Sequence, residues 1–520
     1  MDPSRIPSPF APPAPEIVPE AGVVERVRAA AAARPDAEAL VCGETRLTWR
    51  AFDEQVSRAA NVLRARGVRP GDRVAVLSYN SAAYAIAFMG VLRAGACLVP
   101  LPTMAAPDAL GRMAADSGAT ALLASDALRP LAGNVAVDRR LLLDGAAAGW
   151  DGWDAALAAA DAADPHVPIA PPDLFNIIYS SGTTGSPKGI VHDHAMRAVQ
   201  MARVQENGYG PDTRTLLSTP LYSNTTIVAF LPTLVAGGAV VLMERFDARG
   251  WLKLAQRERV THTMLVPVQY RRLMDEAVEA FDLHALTAKF STSAPLRADL
   301  KREVLARMPG GLTEYYGLTE GGGVTVLRAH EHPHKLHTVG QPAPGVELAF
   351  VADGRAVARG ETGEVCGRSP AVMRGYHGRD DLTEAVVWRD EAGRAFFRSG
   401  DLGHMDADGF VVLSDRIKDV IISGGLNIYA DDLERALLAH PDVADAAAIG
   451  VPSDRWGETP LGLVVLRAGA TAEPDAIHDA VNAGLGKAQR LSAVELRDAL
   501  PRSPIGKILK RELRAPYWGT

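Results

Sequence analysis

The chain has 520 residues, 47% of them hydrophobic and 22% charged, with a net charge of -7. That length holds roughly two to four domains with cores of their own, and so small a net charge excludes a molecule-wide electrostatic footprint for nucleic acid or an anionic membrane. Cys42, Cys97 and Cys366 lie far apart, which gives no disulfide framework and no zinc-ligand spacing and fits the reducing cytoplasm.

The first twenty residues, "MDPSRIPSPFAPPAPEIVPE", lack the basic start and apolar core of a signal peptide. Residues 1–20 read as a Pro-rich arm, flexible or hugging the surface. No apolar run approaches the roughly 18 residues of a membrane span. Then "RVAVLS" (73–78), "CLVPL", "ATALLAS" (119–125), "LFNIIYSS" (174–181), "TLLSTP" (215–220), "GAVVLME" (238–244) and "HTMLVP" (262–267) alternate with amphipathic stretches such as "AAYAIAFMGVLRAGA". Continuous apolar strands interleaved with helices predict buried, mostly parallel sheets covered by helices. From about residue 340 the runs shorten and are split by Gly and Asp ("GVELAFV", "GEVCGR", "GFVVLSD"), which predicts a smaller antiparallel, barrel-like subdomain with tight turns. After "LSDRIKD" a compact pattern of helices and strands returns. The fold class is therefore α/β, with a large domain over 21–416 and a small mobile C-terminal α+β domain over 417–520.

The stretch "YSSGTTGSPKG" (179–189) leaves an apolar strand and enters a segment of Gly and hydroxyls. Gly182, Gly185 and Gly189 free the backbone to turn successive N–H groups to one side. Ser180, Ser181, Thr183, Thr184 and Ser186 add hydroxyl donors, and Lys188 adds a positive charge. Such a loop suits phosphate oxygens. The Walker A spacing is absent, and a Ser/Thr/Gly run alone would serve equally as a surface linker.

Further segments carry chemistry of their own. In "YYGLTE" (315–320) Tyr316 offers a ring to a base, Thr319 a hydroxyl, and Glu320 a hard oxygen for Mg²⁺. In "FFRSGDLG" (396–403) Asp401 follows a Gly in a turn, where Asp is ordinary. In "PRSPIGKILK" (501–510) Lys507 follows Gly and Pro and precedes an apolar anchor.

Together with "GEVCGRSPAVMRGY" (363–376) and "DRIKDVIISGGLNIYADDLE" (415–434), these segments resemble, in order, the motifs of the adenylate-forming superfamily: acyl-CoA synthetases, peptide-synthetase adenylation domains and firefly-type luciferases. The resemblance spans nearly the whole chain after the arm. It implies an ATP-dependent, AMP-forming acid–thiol ligase with ATP and CoA as substrates and Mg²⁺ as cofactor.

By resemblance, Glu320 binds the Mg²⁺ on ATP, Thr319 touches the α-phosphate, and Tyr316, flanked by Tyr315 and Gly317, lies against adenine. Ser293 and Ala294 of "STSAP" stand where the family's other adenine-contacting strand ends; relatives carry Gly-rich residues there, and Thr292 and Ser293 depart from that. Asp401 takes the ribose hydroxyls, helped by Arg416. Lys507 bridges the substrate carboxylate and the α-phosphate, because attack of one anion on another calls for a cation. Lys418 matches the hinge about which the C-terminal domain turns between half-reactions, exchanging Lys507 for Ser423, Gly424 and Gly425 beside the pantetheine arm of CoA.

The acyl pocket is implied at "LYSNTTIVAF" (221–230). Relatives carry an aromatic followed by His-Asn; here Tyr222, Ser223 and Asn224 stand, so Ser223 replaces the His. Asn224 matches a position that contacts a ring hydroxyl in aryl-acid relatives, and also occurs in fatty-acyl ones. Gly321, Gly322 and Gly323 remove side chains from the pocket floor, leaving room for a bulky or long acyl group. A medium or long fatty acid and a ring-bearing acid both remain open. So do free CoA and the phosphopantetheine of an acyl carrier protein as acceptor, and a homodimer. "HEHPHKLH" (330–337) holds four His without a Cys or ordered acidic partner, which argues for a loop rather than a metal site. His192 and His194 in "VHDH" read as structural.

Overall fold

The computed structural model describes residues 8–10, 13, 21–180, 188–202, 204–423, 426–486, 489–503 and 506–518. The chain divides into two compact units, one of residues 1–347 with 367–397 and the other of 348–366 with 398–520.

The first unit is built on two sheets. One has eight strands, in the order Gly375–Tyr376, Lys188–Asp193, Leu174–Ser180, Cys97–Pro100, Arg73–Leu77, Ala119–Ala124, Arg139–Leu142, Asp151–Gly152. Its middle strands pair in parallel, Val74 beside Leu98 and Leu98 beside Asn176, as continuous apolar runs require when both faces are covered. The second sheet has nine strands, and Gly311–Tyr316, Ala288–Ser291, His262–Leu265 and Arg214–Leu217 form its parallel centre. One core cluster takes residues from both sheets (Val74, Leu98, Leu40, Val240) and from the helices Trp49–Ala65, Ala82–Arg93 and Asn224–Val235.

The helix Ala82–Arg93 starts at Ser81, whose hydroxyl accepts from the Tyr84 N–H at 3.0 Å, satisfying an orphan donor of the first turn. It buries ten of its twelve residues, so it is apolar all round rather than on one stripe. A Cβ on its Gly90 would stand 2.5 Å from Ala59 Cβ; the glycine lets Trp49–Ala65 approach. Phe88 then meets Phe175 and Phe230 at ring separations of 6.5 and 5.3 Å, edge to face.

The second unit holds most of an antiparallel sheet in which Ala395–Met405 pairs with Val411–Arg416, Asp401 opposite Arg416. Beyond it, Val443–Ser453 and Gly457–Leu466 form a long hairpin that Ala493–Leu496 joins in parallel. Period-two alternation divides this hairpin between two cores. Ala446, Ala448 and Val464 pack with Leu433, Leu437 and Ile477, while Ala447, Ile449 and Leu463 pack with Leu500 and Leu513. The predicted C-terminal α+β pattern is this hairpin with its helices Ala430–Leu438, Pro474–Ala483 and Lys510–Trp518.

One described residue of the Pro-rich arm is packed into a core cluster. Phe10 is only 2% exposed. It lies in a cluster with Ile190, Val372, Met373, Tyr376 and Phe397, its ring 6.0 Å from that of Phe397.

Candidate functional site

Lys188 opens the strand Lys188–Asp193, which runs antiparallel to Leu174–Ser180 with Ser180 opposite Lys188. The ladder fixes where the chain re-enters the sheet after the hydroxyl-rich loop. Ser181, Gly182, Thr183, Thr184 and Gly185 lie outside the described residues, as do Gly424 and Gly425. Gly189 is packed closely: a Cβ there would stand 2.9 Å from Ile177 Cγ2 and 3.1 Å from Tyr179 Cζ.

Tyr376 brings Lys188 and Glu320 together. The Lys188 ammonium stands 5.1 Å from the centroid of the Tyr376 ring, within cation–π range. The Tyr376 hydroxyl donates to Glu320 Oε1 at 2.9 Å. Burial and then the Glu320 charge hold the phenol well above its ordinary range, so it remains a donor. The main chain of Glu320 is tied as well, its carbonyl accepting from Met373 N–H at 2.7 Å. Sequence reasoning assigns Tyr376 no task; its one signal is the Tyr that closes "VMRGY".

The three glycines after Glu320 meet a backbone demand that the pocket-floor reading did not foresee. Gly321 and Gly322 have φ of 76° and 82°, a region that favours glycine. A Cβ on Gly321 would fall 2.1 Å from the Ala371 carbonyl, and one on Gly367 would fall 2.3 Å from Gly323 Cα. Two segments of main chain touch here, and side chains would part them.

Tyr315 is half-buried against Phe290, rings stacked at 5.8 Å, and Phe290 stacks in turn on Tyr209 at 5.7 Å. Tyr316 ends the same strand at its partly exposed edge. Ser293 adopts φ 79°, strained for a residue with a side chain. Its hydroxyl is hydrogen-bonded to that of Thr225, which ties the end of Ala288–Ser291 to the acyl-pocket segment. There Ser223 caps the helix Asn224–Val235, accepting from Thr225 N–H at 3.3 Å. Asn224 Oδ1 is buried with no hydrogen-bond partner.

The second unit carries the other candidates. Asp401 is buried, 5% exposed, and its Oδ1 lies 2.9 Å from Arg416 Nε. Lys418 is exposed in the short turn Ile417–Asp419, where its carbonyl accepts from Arg514 at 2.9 Å. Ser423 ends the strand Ile421–Ser423 and pairs with Leu426 and Gly457. The loop of Lys507 is closed on itself: Ser503 N–H donates to the Lys507 carbonyl at 2.8 Å, and Arg502 donates to the Gly506 carbonyl at 2.6 Å. Burial, then Arg416 and Lys418, lower the Lys507 ammonium to about 7, with Asp401 and Asp419 opposing. Asp401, Arg416 and Lys507 thus act on one another.

Comparison with known proteins follows the same outline. Residues 27–377 match the AMP-binding enzyme family and residues 432–507 its C-terminal domain. A feruloyl-CoA synthase of Amycolatopsis sp is 36% identical over 93% of this chain and 96% of its own length. The fatty acid–[acyl-carrier-protein] ligase ScoC of Streptomyces coeruleorubidus is 32% identical over 93% of this chain and 94% of its own. The ATP-bound crystal structure of MatB from Rhodopseudomonas palustris superposes with a TM-score of 0.86 at 28% identity, over 95% of this chain and 98% of that one. The chain therefore belongs to the AMP-binding enzyme family and is an acid–thiol ligase, with ATP and CoA as substrates, that activates a carboxylic acid as its acyl adenylate and passes it to the thiol.

Proposed function

We propose that the acid is a ring-bearing one carrying a hydroxyl on its ring, of the hydroxycinnamate type, and that CoA is the acceptor. The observation that carries this choice is Asn224 Oδ1, buried and unpartnered at the acyl-pocket segment. A buried acceptor without a donor costs about 1–3 kcal/mol, and a phenolic O–H supplies that donor. The similarity to a feruloyl-CoA synthase supports the same class.

In this reading Lys188 meets the phosphates of ATP, and Glu320, steadied by Tyr376, holds the Mg²⁺ they carry. Among the described residues no group of three His, Cys, Asp or Glu could hold a metal ion alone. This suits Mg²⁺, which takes one or two carboxylates and completes its shell with phosphate and water; when bound it would neutralise charge on the triphosphate. Asp401 receives the ribose hydroxyls beside Arg416, and Lys507 offsets the charge that builds as carboxylate and α-phosphate meet. The part of the chain beyond Lys418 then turns, so that Ser423 and its neighbours replace Lys507. Three free cysteines, two of them buried, support a cytoplasmic setting.

The test is AMP formation from ATP and Mg²⁺ across hydroxycinnamates, unsubstituted cinnamate, benzoates and medium and long fatty acids, with and without CoA. Ferulate or coumarate turned over fastest and only with CoA is expected; a fatty acid preferred throughout overturns the choice of acid. Acyl-AMP that ignores CoA and is consumed by a carrier protein would favour the second reading, which the similarity to ScoC supports.

A further inference from the structure

His192 sits on the strand Lys188–Asp193, fully buried, four residues after Lys188. Its Nε2 lies 2.8 Å from the Thr319 carbonyl oxygen. A carbonyl only accepts, so Nε2 carries the hydrogen. Its Nδ1 faces Asn176 Nδ2 at 3.0 Å and Arg197 Nη2 at 2.9 Å. Both of these only donate, so Nδ1 is bare. One tautomer satisfies every contact, and a doubly protonated ring satisfies none of those at Nδ1. Asn176 is itself oriented, its Oδ1 accepting from Arg197 Nε at 3.2 Å and Nη2 at 2.9 Å.

Arg197 is fully buried with neutral partners: Asn176, His192, Gln200 Oε1 at 3.0 Å, and the Phe175 ring at 5.6 Å. A cation buried among neutral groups is costly, and its field polarises the imidazole toward its Nε2–H end. Burial and this same guanidinium hold the His192 ring far below its usual titration range.

We propose that His192 is a positioning residue for adenylation: held neutral and oriented by Arg197 and Asn176, it donates to the Thr319 carbonyl and fixes the Thr319–Glu320 peptide. Two other ties meet the same place, Met373 N–H on the Glu320 carbonyl and the Tyr376 hydroxyl on its carboxylate. The peptide is held from before, within and after Glu320. This rests on the reading of Glu320 as the group that meets metal-bound ATP. A slackened peptide would leave both Thr319 and Glu320 off their marks, and misplacement of about 1 Å can cost on the order of 100-fold.

The test compares His192→Gln and His192→Asn in the two half-reactions. Gln places an amide N–H near the position of Nε2 and can reach Thr319; Asn mimics only the Nδ1 end. His192→Asn should slow pyrophosphate–ATP exchange about 10- to 100-fold and raise the Mg²⁺ needed for half-maximal exchange. His192→Gln should recover most of the rate. Thioester formation from synthetic acyl-AMP and CoA should stay near wild type in both. Equal losses in the two variants, or equal losses in the two half-reactions, overturn the proposal. A second measurement needs no variant to fold: ¹⁵N spectra of histidine-labelled protein should contain one ring fixed as the neutral Nε2–H tautomer from pH 6 to 8, and absence of any such ring overturns the assignment. Glu320→Gln with unchanged Mg²⁺ dependence would instead remove the reading of Glu320 beneath it.

Discussion

Lys507 gives the most exacting prediction. An ordinary lysine is protonated throughout the working range of an enzyme, but here burial, Arg416 and Lys418 bring the ammonium down to about 7. At pH 8 only roughly one molecule in ten carries the charge in the free protein, against nearly all at pH 6. The proposed role needs the charge, so kcat/KM for adenylation should fall about tenfold from pH 6 to pH 8, since that ratio reports the free enzyme. Lys507→Arg cannot lose its proton in this range and should flatten the profile. Lys418→Met removes one of the two cations that depress the group and should move the limb to higher pH. Lys507→Ala should lower adenylation by about 10²–10³, or roughly 3–4 kcal/mol in the transition state, while leaving thioester formation from synthetic acyl-AMP intact. The assay is pyrophosphate–ATP exchange at saturating Mg²⁺. A limb that persists in Lys507→Arg, or a Lys507→Ala protein equally impaired in both half-reactions, would refute the reasoning.

Tyr376→Phe keeps the ring beneath Lys188 and deletes the hydroxyl on Glu320; a bond to a charged group is worth about 1.5–3 kcal/mol, and exchange assays should show a raised Mg²⁺ requirement. At Ser293, with φ 79°, Gly should be tolerated better than Ala by about 1 kcal/mol in thermal unfolding; a more stable Ala variant would contradict the strain. Asn224→Leu replaces the orphan acceptor and should lower the preference for coumarate over cinnamate by about tenfold, or roughly 1.4 kcal/mol. Asp415, raised to about 6 by burial, favours folding while protonated; that stability is present below the usual carboxylate range and lost as pH rises through about 6. The stability lost between pH 4 and pH 7 should therefore be smaller in Asp415→Asn than in the wild type by roughly 1–3 kcal/mol, read as the change in Tm across that range; the variant starts from a lower stability, because both carboxyl oxygens accept backbone N–H groups, from Arg416 and Ala430, and an amide nitrogen accepts none.

The parallel sheets were legible because runs such as "VAVL" (74–77) and "AVVL" (239–242) are apolar without a break, which only burial on both faces requires. The C-terminal hairpin was harder: "ADAAAIGV" has little contrast between neighbours, and its two faces both point into cores. Lys188 and Glu320 stood out in their motifs, since phosphate and metal binding use those residue types, and the structure brings both against Tyr376. Tyr376, which joins them, did not stand out, because a buried tyrosine in a strand is ordinary and its partner lies 56 positions away. Asn176 and Arg197 escaped for the same reason. A polar residue in "LFNII" announces that something is unusual and does not say what it faces. The glycines 321–323 were read by what they leave out of a pocket, whereas the contact they permit is with main chain that the sequence does not bring near.

Phe10 makes the packing under one described point of the amino-terminal arm open to chemical test. Its ring packs in an apolar cluster with Tyr376 and Phe397, 6.0 Å from the ring of Phe397. Replacing it with Ala would take the bulk of one ring out of this cluster, and an enclosed apolar hole of that size takes up benzene from solution. Benzene that raises the Tm of Phe10→Ala and leaves that of the wild type unchanged is the outcome expected of such a hole.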